Sequence, residues 1–174
     1  RLPGPLRLDG QLDEAVYRDI PAISEFIMAE PRSGGPPSQK TEAWVLFDDE
    51  AIYVSVRCWE SNLAGMIADE MRRDAINITQ QDFIGFGFDP FHDRRNGLVF
   101  NVTPLGAFMD GQVTDERAYN GDWNPVWQMR SGRFDGGWTA EARVPFKSIR
   151  YQGGDTQVWG FQLRRENKWK NEIA

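Results

Sequence analysis

Hydrophobic and polar residues alternate with a period of two along most of the chain, which is typical of strands that bury one face. In AIYVSVRCW (residues 51–59), Ile, Val, Val and Cys occupy the even positions, whereas Tyr, Ser and Arg occupy odd positions between them. The even positions are expected to face a core and the odd ones water. The stretch TEAWVLF (residues 41–47) precedes it across three acidic residues, which predicts a hairpin.

Six more stretches have strand-like patterns and are separated by turn residues: DFIGFGFD, GLVFNV, AFMDGQV, VWQMRS, GWTAEARV and VWGFQLRR. Helical patterns are confined to residues 11–18, 63–70 and 146–149. This arrangement predicts an all-β fold, an antiparallel β-sandwich of jelly-roll type with a few short helices. The predicted inward-facing residues are Ile52, Val54, Val56, Ile84, Phe86, Phe88 and Phe100. No repeat or change in composition divides the chain, so residues 1–174 are interpreted as one domain.

Charge and composition narrow the classes of partner. The chain has 26 acidic and 20 basic residues, a net charge of −6, which argues against nucleic acid and anionic lipid and favours neutral or cationic partners. No apolar run approaches the ~20 residues of a transmembrane helix. One cysteine, Cys58, precludes an intramolecular disulfide, and one histidine, His92, argues against histidine-rich zinc sites.

Four motifs occur in an order that identifies a resemblance: LDGQLDEAVY, TEAWVLFDDEAIYVSVRC, RRDA followed by DFIGFGFDPFHDRRNGLVFNV, and GWTAEARVPFKSIRY followed by WGFQLRR. Together they resemble the family 9 carbohydrate-binding modules, over about residues 6–167. More narrowly, they resemble the version at the N-terminus of bacterial outer-membrane β-barrel proteins. Tyr17 departs from the tryptophan that is common in the family, although it keeps an aromatic ring.

The resemblance implies a β-sandwich that holds calcium and binds the ends of sugar chains between aromatic rings. It also implies a location in the bacterial cell envelope, in the periplasm or outer membrane, or secretion. The expected partners are an oligo- or polysaccharide and the C-terminal outer-membrane barrel of the same protein.

Sugars have apolar faces that stack on aromatic rings and hydroxyls that bond to planar polar groups. The strand pattern assigns Trp44, Trp138 and Trp159 to the core. Trp123 lies instead in the turn sequence NGDWNP, which makes it the leading candidate for stacking on a sugar; the alternative is a ring that covers one end of the core. Trp127 begins the next strand and can face either way.

Three polar residues are candidates for contact with sugar hydroxyls. Arg73 precedes an edge or loop, and Asn101 and Asp110 lie on neighbouring strands where their side chains are expected to converge. Each has a structural alternative, because an arginine can hold a loop by an ion pair and an aspartate often caps a turn.

Calcium binding rests mainly on the resemblance. Asp74, Asp82 and Asp89 are the candidate ligands, since calcium takes six to eight oxygens and tolerates irregular loops. The twelve-residue helix-loop-helix calcium motif is not present.

The hypothesis that the chain is an enzyme has weaker support, so the chain is predicted to be non-catalytic. Glu141, Asp110 and Asp82 could be proposed as glycosidase carboxylates, but Glu141 has a structural position and is expected to anchor an arginine. His92 lies in a turn without an identifiable partner. Two non-enzymatic alternatives remain: a sandwich that binds haem through Met109, Met129 or His92, and an accessory domain packed against the barrel.

Overall fold

The computed structural model describes residues 1–174 as two antiparallel sheets that pack face to face. The strands are β1 (Thr41–Phe47), β2 (Ala51–Trp59), β3 (Phe83–Asp89), β4 (Gly97–Val102), β5 (Phe108–Thr114), β6 (Ala118–Asn120), β7 (Gln128–Phe134), β8 (Gly137–Pro145), β9 (Gly160–Asn167) and β10 (Glu172–Ile173). The four-stranded sheet has the order β1-β2-β8-β7, and the six-stranded sheet has the order β10-β9-β3-β4-β5-β6. The predicted all-β sandwich is confirmed.

Strands β1 and β2 form the predicted hairpin, with Thr41 opposite Cys58 and Phe47 opposite Ile52. The acidic turn has a specific role in closing it. Asp48 accepts backbone hydrogen bonds from Glu50 and Ala51 through Oδ1, and its Oδ2 accepts one from the Tyr53 hydroxyl. The turn is therefore closed by a side chain that replaces missing backbone acceptors.

The main core lies between the two sheets and contains the inner faces that the alternation predicts. Six of the seven predicted inward residues are buried there, and Ile52 packs against them as a partly buried residue. Phe86 and Phe100 stack with centroids 5.1 Å apart, and Trp138 is 1% exposed. Cys58 lies fully buried in the same cluster, and this burial raises the pKa of its thiol to about 11.

The centre of the outer face of the four-stranded sheet is buried, although alternation predicts that this face is exposed to water. Tyr53 and Ser55 are 0% and 1% exposed, because the N-terminal segment lies across this face. Leu12 and Tyr17 from that segment pack with Trp44 in a second buried cluster. Trp44 is therefore buried, as predicted, but outside the space between the sheets.

A buried carboxylate holds the N-terminal segment in place. Glu141 Oε2 accepts backbone hydrogen bonds from Asp9 at 3.1 Å and Gly10 at 2.9 Å, while Oε1 accepts one from the Tyr17 hydroxyl at 2.8 Å. These donors replace the arginine expected as its partner. Burial raises the pKa of Glu141, and the three donors partly oppose that shift. Gly10 adopts a φ of +81°, and a Cβ there would stand 2.7 Å from the Ser131 carbonyl carbon.

Helical structure is scarcer than predicted. The pattern over 11–18 yields only α1 (Val16–Asp19), and the residues after Pro145 form a short 3-10 turn, Phe146–Ser148. The helix predicted over 63–70 is wrong. Side-chain oxygens there accept the backbone hydrogen bonds that a helix would need: Asp82 from Ile67, and Gln81 from residues 69 and 70. None of the helices has the length and apolar composition that a membrane crossing requires.

Replacing Glu141 should detach the N-terminal segment. We expect Glu141→Ala to lower the free energy of unfolding by at least about 2 kcal/mol, since each buried donor left unpaired costs about 1–3 kcal/mol. Chemical denaturation measures the change, and hydrogen exchange at residues 9 and 10 should rise. The exposed Glu25→Ala is the control, expected within about 0.5 kcal/mol of wild type. Equal stability of both variants would contradict the anchoring role.

Candidate functional site

The outer face of the six-stranded sheet forms an open groove. Strand β3 turns Ile84, Phe86 and Phe88 inward, so Phe83, Gly85 and Gly87 face outward. The Phe83 ring is buried and lies beneath the Arg164 guanidinium, which leaves the two glycines open. The neighbouring strands contribute the other outward residues. The hollow at its centre has a volume of about 400 Å³ and is lined mainly by Gly85, Gly87, Val99, Asn101, Met109, Tyr119, Gln162 and Arg164.

Three glycines, Gly85, Gly87 and Gly111, contribute no side chains to the centre of this sheet face. A Cβ on Gly87 would stand 3.1 Å from the Leu98 carbonyl oxygen, which is closer than a normal contact, and no other atom lies within 4 Å of it. At Gly111 a Cβ would collide with the Tyr119 ring, which therefore lies directly against the sheet. Side chains at these positions would fill the groove.

Asn101 presents an unpaired polar group at the floor of the groove. The residue is 5% exposed, and no protein group donates a hydrogen bond to its buried Oδ1. This oxygen lies 2.7 Å from where a Cβ of Gly85 would stand, and Arg164 Nε lies 3.3 Å from the same point. A buried acceptor without a donor costs about 1–3 kcal/mol, so this position favours a ligand that donates to it.

The walls of the groove combine an aromatic ring with planar polar groups. Tyr119 is 52% exposed and donates its hydroxyl hydrogen to the Asp110 carbonyl oxygen at 3.3 Å. Gln162 and Arg164 stand on the opposite wall. Beyond Gly87 the groove continues into a second hollow of about 420 Å³. A ring face, an amide and a guanidinium around an unpaired acceptor suit a ligand with both apolar faces and hydroxyls.

Three predicted contact residues meet beneath the sheet instead of in the groove. Asp110 Oδ2 accepts hydrogen bonds from Trp127 Nε1 at 2.9 Å and from Arg73 Nη2 at 2.8 Å. Burial raises the pKa of Asp110, and these two donors oppose the shift. Trp127 is 6% exposed and belongs to the main core. This arrangement fixes the Arg73 loop to the sandwich and offers Trp127 no open ring face.

The predicted convergence of Asn101 and Asp110 is wrong. In the register of β4 and β5, Asn101 is opposite Met109, while Phe100 is opposite Asp110. Side chains one residue apart in register point to opposite faces of a sheet. Asn101 therefore faces the groove, and Asp110 faces the interior.

Trp123 lies on the other side of the same sheet. Its ring is half-buried and meets Phe100 edge to face, with centroids 5.9 Å apart. It also lines a separate cleft of about 540 Å³ near residues 147–150. Trp123 therefore covers one end of the core, and part of its ring also borders a cleft; its stacking on a sugar stays a prediction.

Trp159 is only half-buried, contrary to the core position predicted for it. It packs against Phe88 and belongs to a cluster of rings with Phe146 and Tyr151. Its neighbour on the inner face, Phe161, is 38% exposed. The six-stranded sheet is wider than the four-stranded one and is incompletely covered at this end.

The three aspartates predicted as calcium ligands do not fit a shared site. Asp82 and Asp89 lie at opposite ends of β3, about 23 Å apart at ~3.3 Å per residue. Asp82 accepts backbone hydrogen bonds from residues 67 and 168, and Asp89 from residues 93 and 94. Asp74 instead pairs with Arg73. No cluster of three or more acidic, histidine or cysteine side chains is placed to hold an ion.

The methionines proposed as haem ligands are on different sides of the sheet. Met129 is buried in the core, whereas Met109 lines the groove. His92 lies in the exposed turn between β3 and β4, with a φ of +52°. The structure therefore does not assemble a pair of axial ligands from these residues.

Sequence reasoning missed most of the groove. Tyr119, Gln162 and Arg164 were not among the candidates, although the signal was present in the alternation. Where adjacent strands place aromatic or aliphatic residues inward, the residues between them form one continuous outer surface. What alternation alone does not show is which outer surface stays open.

Comparisons with solved structures show the fold. One family 9 carbohydrate-binding module from Caldicellulosiruptor kristjanssonii, in complex with cellotriose, superposes with a TM-score of 0.65 at 16% identity, over 94% of this chain and 73% of that one. A complex with glucose gives a TM-score of 0.65 at 15% identity, over 94% and 75%. The chain therefore has the fold of these modules.

A candidate carbohydrate-binding protein from Bacteroides uniformis is also similar, with a TM-score of 0.60 at 10% identity, over 77% of this chain and 66% of that one. A scan against models of protein families finds no match, and neither does a search of the curated proteins.

The Trp127–Asp110 hydrogen bond should contribute to stability in a pH-dependent way. We expect Trp127→Phe to lower the free energy of unfolding at pH 7 by about 1–3 kcal/mol, because it leaves a buried carboxylate with one donor fewer. The pKa of Asp110 is raised in the folded state, so protonation of this carboxyl stabilises the fold. That contribution to the free energy of unfolding is present at low pH and is lost as the pH rises through the folded-state pKa.

Losing the indole donor should raise the pKa of Asp110 further, so the deficit of Trp127→Phe should be smaller at about pH 3, where even an unshifted aspartate carboxyl, with a pKa of about 3.9, is largely protonated. Denaturant unfolding at both pH values measures this. Trp159→Phe is the control, since the Trp159 indole N–H donates only to Gln157 Oε1, at 3.4 Å on the surface. A deficit that is independent of pH would contradict the role given to Asp110.

Proposed function

We propose that the protein is a non-catalytic carbohydrate-binding module that holds its ligand in the groove on the outer face of the six-stranded sheet. The observation that carries this proposal is the buried, unpaired Oδ1 of Asn101, which lies at the floor of the groove beside Gly85. The fold supports it, since two solved structures with the same fold are complexes with cellotriose and with glucose.

A sugar supplies the hydrogen-bond donor that Asn101 Oδ1 lacks. A hydroxyl donates to Asn101 Oδ1 and relieves the cost of that unpaired acceptor. Gln162 and Arg164 then bond to neighbouring hydroxyls, because an amide offers both donor and acceptor and a guanidinium offers several donors. The exposed part of the Tyr119 ring packs against the apolar face of the sugar.

The chemistry of the groove favours binding without catalysis. The hollow around Asn101 is lined by no carboxylate, histidine or serine. Asp89 and Glu116 line the adjoining hollow, where Asp89 accepts backbone hydrogen bonds from residues 93 and 94 and Glu116 lies 4.0 Å from Arg95 Nε. A glycosidase needs two carboxyl groups that flank the scissile bond. Glu141, the best-buried carboxylate proposed for such a role, lies in the other sheet and anchors the N-terminal segment.

We propose as a second possibility an accessory domain that packs against the C-terminal outer-membrane barrel of a longer protein in the bacterial cell envelope. An exposed apolar surface favours it: Tyr151, Val158 and Phe161 are 42%, 63% and 38% exposed. Such neighbouring apolar side chains are typical of surfaces that contact another protein. Absence of any glycan ligand would favour this reading over the first.

Removing the Asn101 amide should separate binding from stability. We expect Asn101→Ala to weaken glycan binding about tenfold or more, the loss of ~1.4 kcal/mol or more for one hydrogen bond. Without ligand, the same change should leave the melting temperature equal or higher, because it removes an unsatisfied buried polar group. A glycan array followed by calorimetric titration of the best ligand, with cello-oligosaccharides tested first, measures both effects.

A matched pair of amides provides the control. Gln162→Ala removes a groove side chain and should weaken binding, whereas Gln128→Ala removes an exposed amide on the other sheet and should not. Undiminished binding by both Asn101→Ala and Gln162→Ala would place the glycan elsewhere. If wild type binds no glycan on the array, the carbohydrate-binding proposal fails.

A further inference from the structure

The cleft beside Trp123 is a second concave site, on the opposite side of the six-stranded sheet from the groove. It has a volume of about 540 Å³. Gln112 and Thr114 enter it from the inner face of β5, since Gln112 is opposite the inward-facing Leu98. Ser148 and the cationic residues beside it close the other side. The cleft shares no strand face with the groove around Asn101.

The charge of this cleft is opposite to that of the chain. Lys147 and Arg150 are exposed at its edge, and no aspartate or glutamate contributes to its lining. Neither cation forms an ion pair with a carboxylate. Glu50, which lies near the other side of Lys147, is paired with Arg143 at 3.0 Å. Two free cations therefore border one cleft of a chain with a net charge of −6.

The segment that carries the two cations is fixed to the sandwich. Ser148 donates its hydroxyl hydrogen to the Val126 carbonyl oxygen at 2.7 Å, and Phe146 donates its backbone hydrogen to the Glu50 carbonyl oxygen at 2.9 Å. Ile149 is buried in the main core. The backbone positions of Lys147 and Arg150 are therefore set before any ligand arrives, which lowers the entropy lost on binding.

We propose that this cleft binds a sugar unit that carries an anionic group. Lys147 and Arg150 attract the anion, because an opposite charge with no competing carboxylate is the main electrostatic feature of the site. Trp123, held edge to face against Phe100, offers an apolar surface for the sugar ring. Gln112 and Thr114 supply partners for hydroxyls. A uronic acid and a sulfated sugar both meet this description.

The net charge of the sequence favours neutral or cationic ligands, whereas the local charge of the cleft favours an anion. Long-range repulsion by the acidic chain should slow the approach of an anion, but it is screened beyond about 8–10 Å at physiological salt. At contact distance the two cations dominate. The proposal concerns a different surface from the groove, so either site can fail without the other.

Titration with matched charged and neutral sugars tests the proposal. We expect trigalacturonate to bind at least about tenfold more tightly than trigalactose, with the difference shrinking as salt is raised. A sulfated galactose trisaccharide distinguishes the two sources of charge, and inorganic sulfate tests for a bare anion site. Calorimetry measures affinity, and tryptophan fluorescence should change on binding.

Variants locate the site. Lys147→Ala with Arg150→Ala should weaken trigalacturonate binding at least about tenfold, because both attractive charges are lost. Trp123→Leu, which keeps an apolar contact with Phe100, should also weaken it. The control is the double variant Arg32→Ala with Lys170→Ala. It removes two positive charges near Trp169, on another part of the surface, and should leave the affinity for trigalacturonate unchanged. Asn101→Ala should also leave it unchanged.

Three results would overturn the proposal. Wild-type affinity in the Lys147 and Arg150 double variant would show that the anion binds elsewhere. Equal affinity for the charged and neutral trisaccharides would show that charge is not recognised. Complete competition by inorganic sulfate at the concentration of the trisaccharide would show a bare anion site.

Loss of neutral-sugar binding in Asn101→Ala, with trigalacturonate binding intact, would show that the two sites are independent.

Discussion

Strand β3 alternates large inward residues with two outward glycines along Ile84–Phe88, and the shape of the groove depends on this. Ile84, Phe86 and Phe88 fill the space between the sheets, and Gly85 and Gly87, which alternate with them, leave the outer face of this strand without side chains beyond the buried Phe83 ring. The large rings and the empty floor are two consequences of one pattern, because every second residue of a strand points the same way. A side chain at Gly87 would fill the groove without changing the core beneath it.

The location of the open surface depends on what happens at the other sheet. The N-terminal segment covers the outer face of the four-stranded sheet and is held there by Glu141, which accepts hydrogen bonds from residues 9, 10 and 17. With the centre of that sheet covered on both faces, the outer face of the six-stranded sheet is the broad strand surface that remains open. The contacts of the N-terminal segment, with Glu141 among them, thus leave the six-stranded sheet as the open side of the sandwich.

Alternation was sufficient to predict the hairpin of β1 and β2, the inner faces of the strands and the burial of Trp138. It was not sufficient for features set by distant contacts. The burial of Tyr53 depends on a segment more than thirty residues earlier in the chain. The opposite orientations of Asn101 and Asp110 depend on the register between β4 and β5, which the connecting turn fixes. The helix predicted over 63–70 is replaced because Gln81 and Asp82, from beyond that segment, accept its backbone hydrogen bonds.

The buried thiol gives the protein an internal reporter of its own opening. Cys58 is fully buried in the core between the sheets, and burial raises its pKa to about 11, so the reactive thiolate is scarce and inaccessible in the folded state. Alkylating reagents reach it only when the two sheets separate. The rate of its labelling therefore measures how often the sandwich opens, without any introduced probe, and a reactive cysteine placed on the surface reacts first.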